Sequence, residues 1–72
     1  MNNVQSVLIP RNKFSLKKAE MWLINNGFKT HFGNKKVHIT KKYYRFRQQS
    51  PSTKYKYYTK RLNNGVELIL IV

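Results

Sequence analysis

The sequence predicts an α+β domain: one helix packed on a four- to five-stranded antiparallel or mixed sheet. Three observations lead there. Leu16, Ala19, Trp22 and Leu23 recur at three- and four-residue spacing, the pattern of a single amphipathic helix. Several other runs alternate in polarity or are rich in aromatic and β-branched residues, as half-buried strands are. Asn63-Asn64-Gly65 separates two of these runs and accepts the positive φ values a tight hairpin needs. A single helix covers one face of a sheet, so the opposite face is expected to be open.

Val4–Ile9 reads as the first strand, ended by Pro10, which has no N–H to give to a ladder. Arg11-Asn12-Lys13 is a short polar connection. Ser15 suits a helix N-cap, and the helix runs from about Leu16 to Asn26. Gly27 can close it in a left-handed conformation, with Phe28 set to fold back onto Leu23. Lys17 and Lys18 sit in the first turn, where the macrodipole favours anions; they are either a solvated pair or part of a binding surface.

Phe28–Phe32 is read as a short strand closed by a Gly33-Asn34 turn, and Lys35–Thr40 as a second run with Val37 and Ile39 on one side. Tyr43–Gln49 follows as the central strand, then a Ser50-Pro51-Ser52-Thr53 loop, a strand at Tyr55–Leu62 and a last strand at Val66–Val72. That last run is apolar on both faces. Either it lies centrally under extra cover, or Ile69 and Ile71 form a subunit interface, so the expected state is a monomer or a homodimer through Val66–Val72. Residues 1–72 read as one domain without internal repeats.

Charge is the strongest compositional feature: fifteen Lys and Arg face two acids, a net +13 with a pI near 10.5. AT-rich coding would raise lysine without any selection for binding. Aspartate and glutamate codons tolerate AT-richness as well, so the near absence of acids, with only Glu20 and Glu67 present, is the more telling fact. A field of this sign attracts polyanions, nucleic acid foremost and an acidic protein surface second. No apolar run approaches the roughly 20 residues that span a bilayer. Met1 to Gln5 lacks the basic and apolar regions of a signal peptide. The expectation is an intracellular protein with no membrane partner. There is no cysteine to staple a core that can bury only about 60–65% of the unfolded surface.

Catalytic constellations are not legible. The chain has no Asp, and its two glutamates are far apart in sequence. His31 and His38 alone make a poor metal site. No nucleophile–His–acid set or phosphate-cradling glycine loop is present. A binding module is expected, not an enzyme, with no cofactor, no metal and no small-molecule substrate.

The candidate interface comes from alternation along two strands. Tyr44, Phe46 and Gln48 share one side of the Tyr43–Gln49 strand, leaving Tyr43, Arg45 and Arg47 on the other. If Tyr55 and Tyr57 turn toward the helix, then Lys56, Tyr58 and Lys60 lie beside those arginines on the open face. A one-residue change of register would present Tyr55, Tyr57 and Arg61 instead. Lys41 and Lys42 extend the basic stretch at the strand's start. Arginines fork onto phosphate oxygens, lysines add point charge, and tyrosine rings stack on unpaired bases. The platform requires Tyr43, Arg45, Arg47, Lys56, Tyr58 and Lys60 to share one exposed face.

Four stretches carry a resemblance: Ser15-Leu16-Lys17-Lys18-Ala19-Glu20-Met21-Trp22-Leu23, Asn26-Gly27-Phe28-Lys29, Ile39 to Gln48 with its Tyr-Tyr-Arg-Phe-Arg-Gln block, and Tyr58 to Leu62 before Gly65-Val66. Together they resemble a small domain of large DNA viruses and tailed phages, with an A-x-x-W-L helix, a G-F/Y-K exit and a Y-Y-R-F-R-Q strand. Relatives tend to carry acids in the first helical turn and before the Tyr-Tyr pair, where this chain has lysines and Thr40. The resemblance implies a viral or phage origin and a self-standing domain, located in the host cytoplasm, the nucleus or nucleoid, or the virion. It supplies no activity. The resulting expectation is a charge-driven nucleic-acid-binding protein of low sequence specificity, DNA favoured over RNA, that packs or protects a genome. The alternative is a protein-interaction or virion structural module docking on an acidic partner.

Overall fold

The computed structural model describes residues 3–30, 37–49 and 54–71. Its elements are β1 (Val4–Pro10), α1 (Leu16–Asn25), β2 (His38–Ile39), β3 (Tyr43–Arg47), β4 (Tyr57–Arg61) and β5 (Glu67–Ile71). The strands form one sheet in the order β2-β3-β1-β5-β4, and every neighbouring pair is antiparallel. One helix on a five-stranded antiparallel sheet is the α+β arrangement the sequence implies.

The first strand, not Tyr43–Gln49, holds the centre. β1 carries the fully buried Val7 and Ile9, and it pairs with β3 on one side and β5 on the other. Val7 opposes Phe46 and Leu68, and Ile9 opposes Tyr44. Directly paired residues share a face, so this side of the sheet meets Ala19 and Leu23 of α1 in the core, with Val66 beneath. β5 is flanked by β1 and β4. Its Leu68 and Leu70 pack against the core, while Ile69 and Ile71 are half-buried on the far face.

Helix α1 ends as its sequence suggests. Ser15 caps the start, its Oγ accepting from the Lys18 N–H at 3.2 Å. At the other end Gly27 takes φ +79. The Phe28 N–H donates to the Leu23 carbonyl at 2.8 Å and the Gly27 N–H to that of Ile24 at 3.2 Å, the double closure of a Schellman motif. The Phe28 ring then stacks on Trp22, centroids 5.8 Å apart.

That return excludes the short strand read at Phe28–Phe32 from its first three residues: Phe28 to Thr30 are irregular, because Phe28 turns back onto the helix instead of pairing in the sheet. Phe32, the Gly33-Asn34 turn and the Ser50-Pro51-Ser52-Thr53 loop lie outside the described residues, as does His31 of the two-histidine pair. No described helix is long and apolar enough to cross a membrane.

Gln48 ties the segment after the helix to the sheet. Its Oε1 accepts from the Lys29 N–H at 2.8 Å and its Nε2 donates to the Lys29 carbonyl at 2.9 Å. The side chain is buried, so both bonds form in a partly dry environment. Net protein hydrogen bonds of this kind contribute about 0.5–1.5 kcal/mol each. Gln48→Ala is therefore expected to lower stability by about 1–3 kcal/mol, read as a shift of the urea midpoint at constant slope.

Candidate nucleic-acid interface

The hairpin joining β4 to β5 decides which side chains face outward. Leu62 and Val66 close a three-residue loop: the Leu62 N–H donates to the Val66 carbonyl at 2.8 Å and the Gly65 N–H to the Leu62 carbonyl at 3.0 Å. Gly65 takes φ +91 there, the left-handed position of a type I turn followed by a bulge. Counting outward, Arg61 opposes Glu67, Lys60 opposes Leu68 and Tyr58 opposes Leu70. Val66 is buried in the core, which turns Leu68 and Leu70 toward the helix and carries Lys60 and Tyr58 to that side with them.

The expected register of this strand is thereby corrected. Tyr57, Thr59 and Arg61 lie on the face opposite the helix, while Tyr58 and Lys60 do not. All residues of β4 are exposed nonetheless, because the helix covers the central strands and stops short of this edge. β1 and β5 also separate β3 from β4, a spacing of about 14 Å at 4.7–4.9 Å per strand. Lys56, exposed, immediately precedes the strand. The six-residue platform does not form: Tyr43, Arg45 and Arg47 share one face, and Tyr58 and Lys60 are on the other.

The open face carries a continuous row, His38–Arg45–Leu8–Glu67–Arg61, one residue from each strand. Glu67 is its hub. Arg61 donates through Nη2 at 2.8 Å and Nε at 3.2 Å to Glu67 Oε2, which also accepts from the Tyr43 hydroxyl at 3.0 Å. The Glu67 side chain is only 12% exposed. Its hydrogen bond, and then its charge, push the Arg61 guanidinium above its ordinary pKa. Arg61 thus stays charged and is ion-paired with Glu67. Arg45 and Arg47 are half-buried in the row and its neighbour, and the Arg45 Nε is buried with no hydrogen-bond partner.

A group of cations without ion-pair partners among the described residues gathers at one end of the sheet. β1 finishes there at Pro10, which pairs with Tyr43 at the start of β3, and the β2–β3 turn lies alongside. That turn has Lys41 and Lys42 at its tip. Two-residue hairpin loops usually need positive φ, yet among the described residues no non-glycine residue has one. The Thr40 hydroxyl compensates by accepting from the Tyr43 N–H at 3.0 Å.

The outward carbonyls of the turn are taken by Arg11. Its Nη1 donates to Thr40 O at 2.7 Å and to Lys41 O at 3.4 Å, and its backbone N–H to Lys42 O at 2.9 Å. The guanidinium lies 5.8 Å from the centroid of the Tyr44 ring, within cation–π range. Between these loops runs a groove of about 600 Å³ lined by Pro10, Arg11, Asn12, Lys41, Lys42, Tyr43 and Tyr44. Neither Lys41 nor Lys42 has a side-chain partner among the described residues. The helix begins at the same end after a short connection, adding Lys17 and Lys18, while Glu67, the nearest acid in the sheet, is already engaged.

Of the residues singled out from sequence, Lys41, Lys42 and Tyr43 line this groove, and Arg45 and Arg47 continue from it along the open face. Arg11 was legible only as part of a polar connection. Its role depends on the pairing of Pro10 with Tyr43, which no spacing in the chain announces. No family model, curated protein or solved structure matches the chain.

Proposed function

We propose that this protein binds nucleic acid, chiefly through backbone charge and with little sequence preference, DNA favoured over RNA, and that it has no enzymatic activity. The observation that carries this reading is the convergence of Arg11, Lys41 and Lys42 on one groove, none of them in an ion pair among the described residues. A net charge of +13 gives that groove a long-range field, which speeds encounter with a polyanion and adds affinity independent of sequence. On the sequence likeness to viral and phage domains, packing or protecting a genome inside an infected cell is the role proposed.

A second reading, docking on an acidic protein, is favoured by Leu8, Ile69 and Ile71, which lie half-buried between the arginines of β3 and Arg61 of β4. One experiment separates the two. The protein is tested by gel shift at low salt against single- and double-stranded DNA and RNA, with polyglutamate as competitor, and by size-exclusion chromatography with light scattering. Complexes with nucleic acid that survive the competitor support nucleic-acid binding. A stable oligomer indifferent to nucleic acid contradicts it.

A further inference from the structure

We infer that the outer edge of β4 takes an extended acidic peptide segment as a further strand of the sheet, held by the backbone of Thr59 and Arg61 and selected by Lys60 and Lys56. This is independent of the nucleic-acid reading, which places its ligand at the β2–β3 turn.

The ladder fixes which backbone groups face outward. Along an antiparallel pair, residues alternate between those that bond to the partner strand and those whose N–H and C=O point away from it. The Leu62 N–H donates to the Val66 carbonyl, so Leu62 points toward β5. Counting back, Lys60 and Tyr58 also point toward β5, while Arg61 and Thr59 point outward. The far end of the pair agrees: the Ile71 N–H donates to Asn3 O beside β1 at 2.6 Å, turned away from β4. Thr59 and Arg61 thus present two donors and two acceptors along one line, at the outer side of a strand whose residues are all exposed.

An open edge is a template for another strand, and proteins guard it by shortness, proline, a bulge or charge. The opposite edge of the sheet, β2, is only two residues long. β4 has five, Tyr-Tyr-Thr-Lys-Arg, of which the first three suit a pleated surface. It holds no proline, and it pairs with β5 without a register shift. Of the guards a strand can carry in itself, β4 has only charge.

The sign of that charge chooses the occupant. Lys60 is exposed, as is Lys56 just before the strand. A second copy would bring another +13 to the same edge. Opposite charges across a ladder attract and like charges repel, so the edge resists its own kind and accepts an acidic strand. In strand addition the main-chain bonds give affinity and the alternate side chains give specificity.

The probe is a labelled peptide of alternating glutamate and valine, compared by fluorescence anisotropy with the same peptide N-methylated at its four central amides. The N-methylated form keeps the charge and loses its ladder donors. It is expected to bind more weakly by about 2- to 13-fold for each backbone bond lost. Lys56→Glu with Lys60→Glu is expected to weaken the unmodified peptide about 2- to 30-fold. Thr59→Pro removes one outward N–H and leaves the bonds to β5, a position where an edge strand tolerates proline; it is expected to fold and to bind at least about twofold more weakly. Amide hydrogen exchange is expected to slow at Thr59 and Arg61 when the peptide is added.

Equal binding of the N-methylated peptide, or no slowing at those two amides, overturns strand addition. A wild-type dimer that already protects them makes a second copy the occupant and overturns the acidic partner. Should Thr59→Pro fail to fold, the N-methylated comparison on wild-type protein decides. These outcomes leave the nucleic-acid reading untouched, because its own test is the gel shift with oligonucleotides.

Discussion

Phe46→Ala is expected to lower the stability of the protein by about 3–5 kcal/mol, the usual cost of emptying a phenylalanine site that cannot collapse. Phe46 is among the largest side chains that are fully buried, at 1% exposure. It faces Val7 across the β1–β3 ladder and belongs to the cluster that includes Ala19 and Leu23. A single core in a domain of 72 residues rarely supplies more than about 3–5 kcal/mol, and this one has no disulfide to fall back on. The variant should therefore be largely unfolded at physiological temperature. The measurement is the tryptophan emission of Trp22 through a urea titration: loss of the native baseline is the expected outcome. A cooperative transition displaced by less than about 0.5 kcal/mol would place the core elsewhere, since that is the usual range of surface substitutions.

The contrast along β3 sharpens the point. Arg45 and Arg47 flank Phe46 in sequence yet lie on the opposite face, half-buried among Ser6, Leu8 and His38. Strand alternation is a hard geometric fact, so this part of the site could be read directly from Tyr-Tyr-Arg-Phe-Arg. The helix was equally plain, with an apolar stripe, a serine cap and a glycine exit all agreeing. Strand β4 was not. Its Lys-Tyr-Lys-Tyr-Tyr-Thr-Lys-Arg run has tyrosines on both sides, so polarity alone cannot say which side faces in.

The answer was available one turn later. A three-residue loop between Leu62 and Val66 pairs Arg61 with Glu67, and an ion pair belongs on the open face. The groove is a different case. Arg11 and Lys41 are separated by thirty positions and meet only because β1 and β3 pair antiparallel. Long-range pairing leaves no local trace, and the sheet order that makes β1 central was invisible for the same reason.

Raising salt from about 50 to 200 mM is expected to cost about 10³-fold in affinity for nucleic acid, the largest effect anticipated for binding. The reasoning is counterion release. If about six phosphates are neutralised, each freeing most of a condensed cation, log K falls with log salt at a slope near −5 for duplex DNA and near −4 for a single strand. Arg11, Lys41, Lys42, Arg45 and Arg47, with Lys17 and Lys18 at the helix start, supply enough cations for that number. Arg61 is left out of that number because it is ion-paired with Glu67.

The salt slope is the measurement closest to the central claim, that unneutralised cations at one end of the sheet hold a polyanion by its backbone. Anisotropy titrations at several salt concentrations give it without any variant. A slope between about −4 and −5 is the expected result. Binding that is flat in salt, or an absence of binding even at the lowest salt, would contradict it.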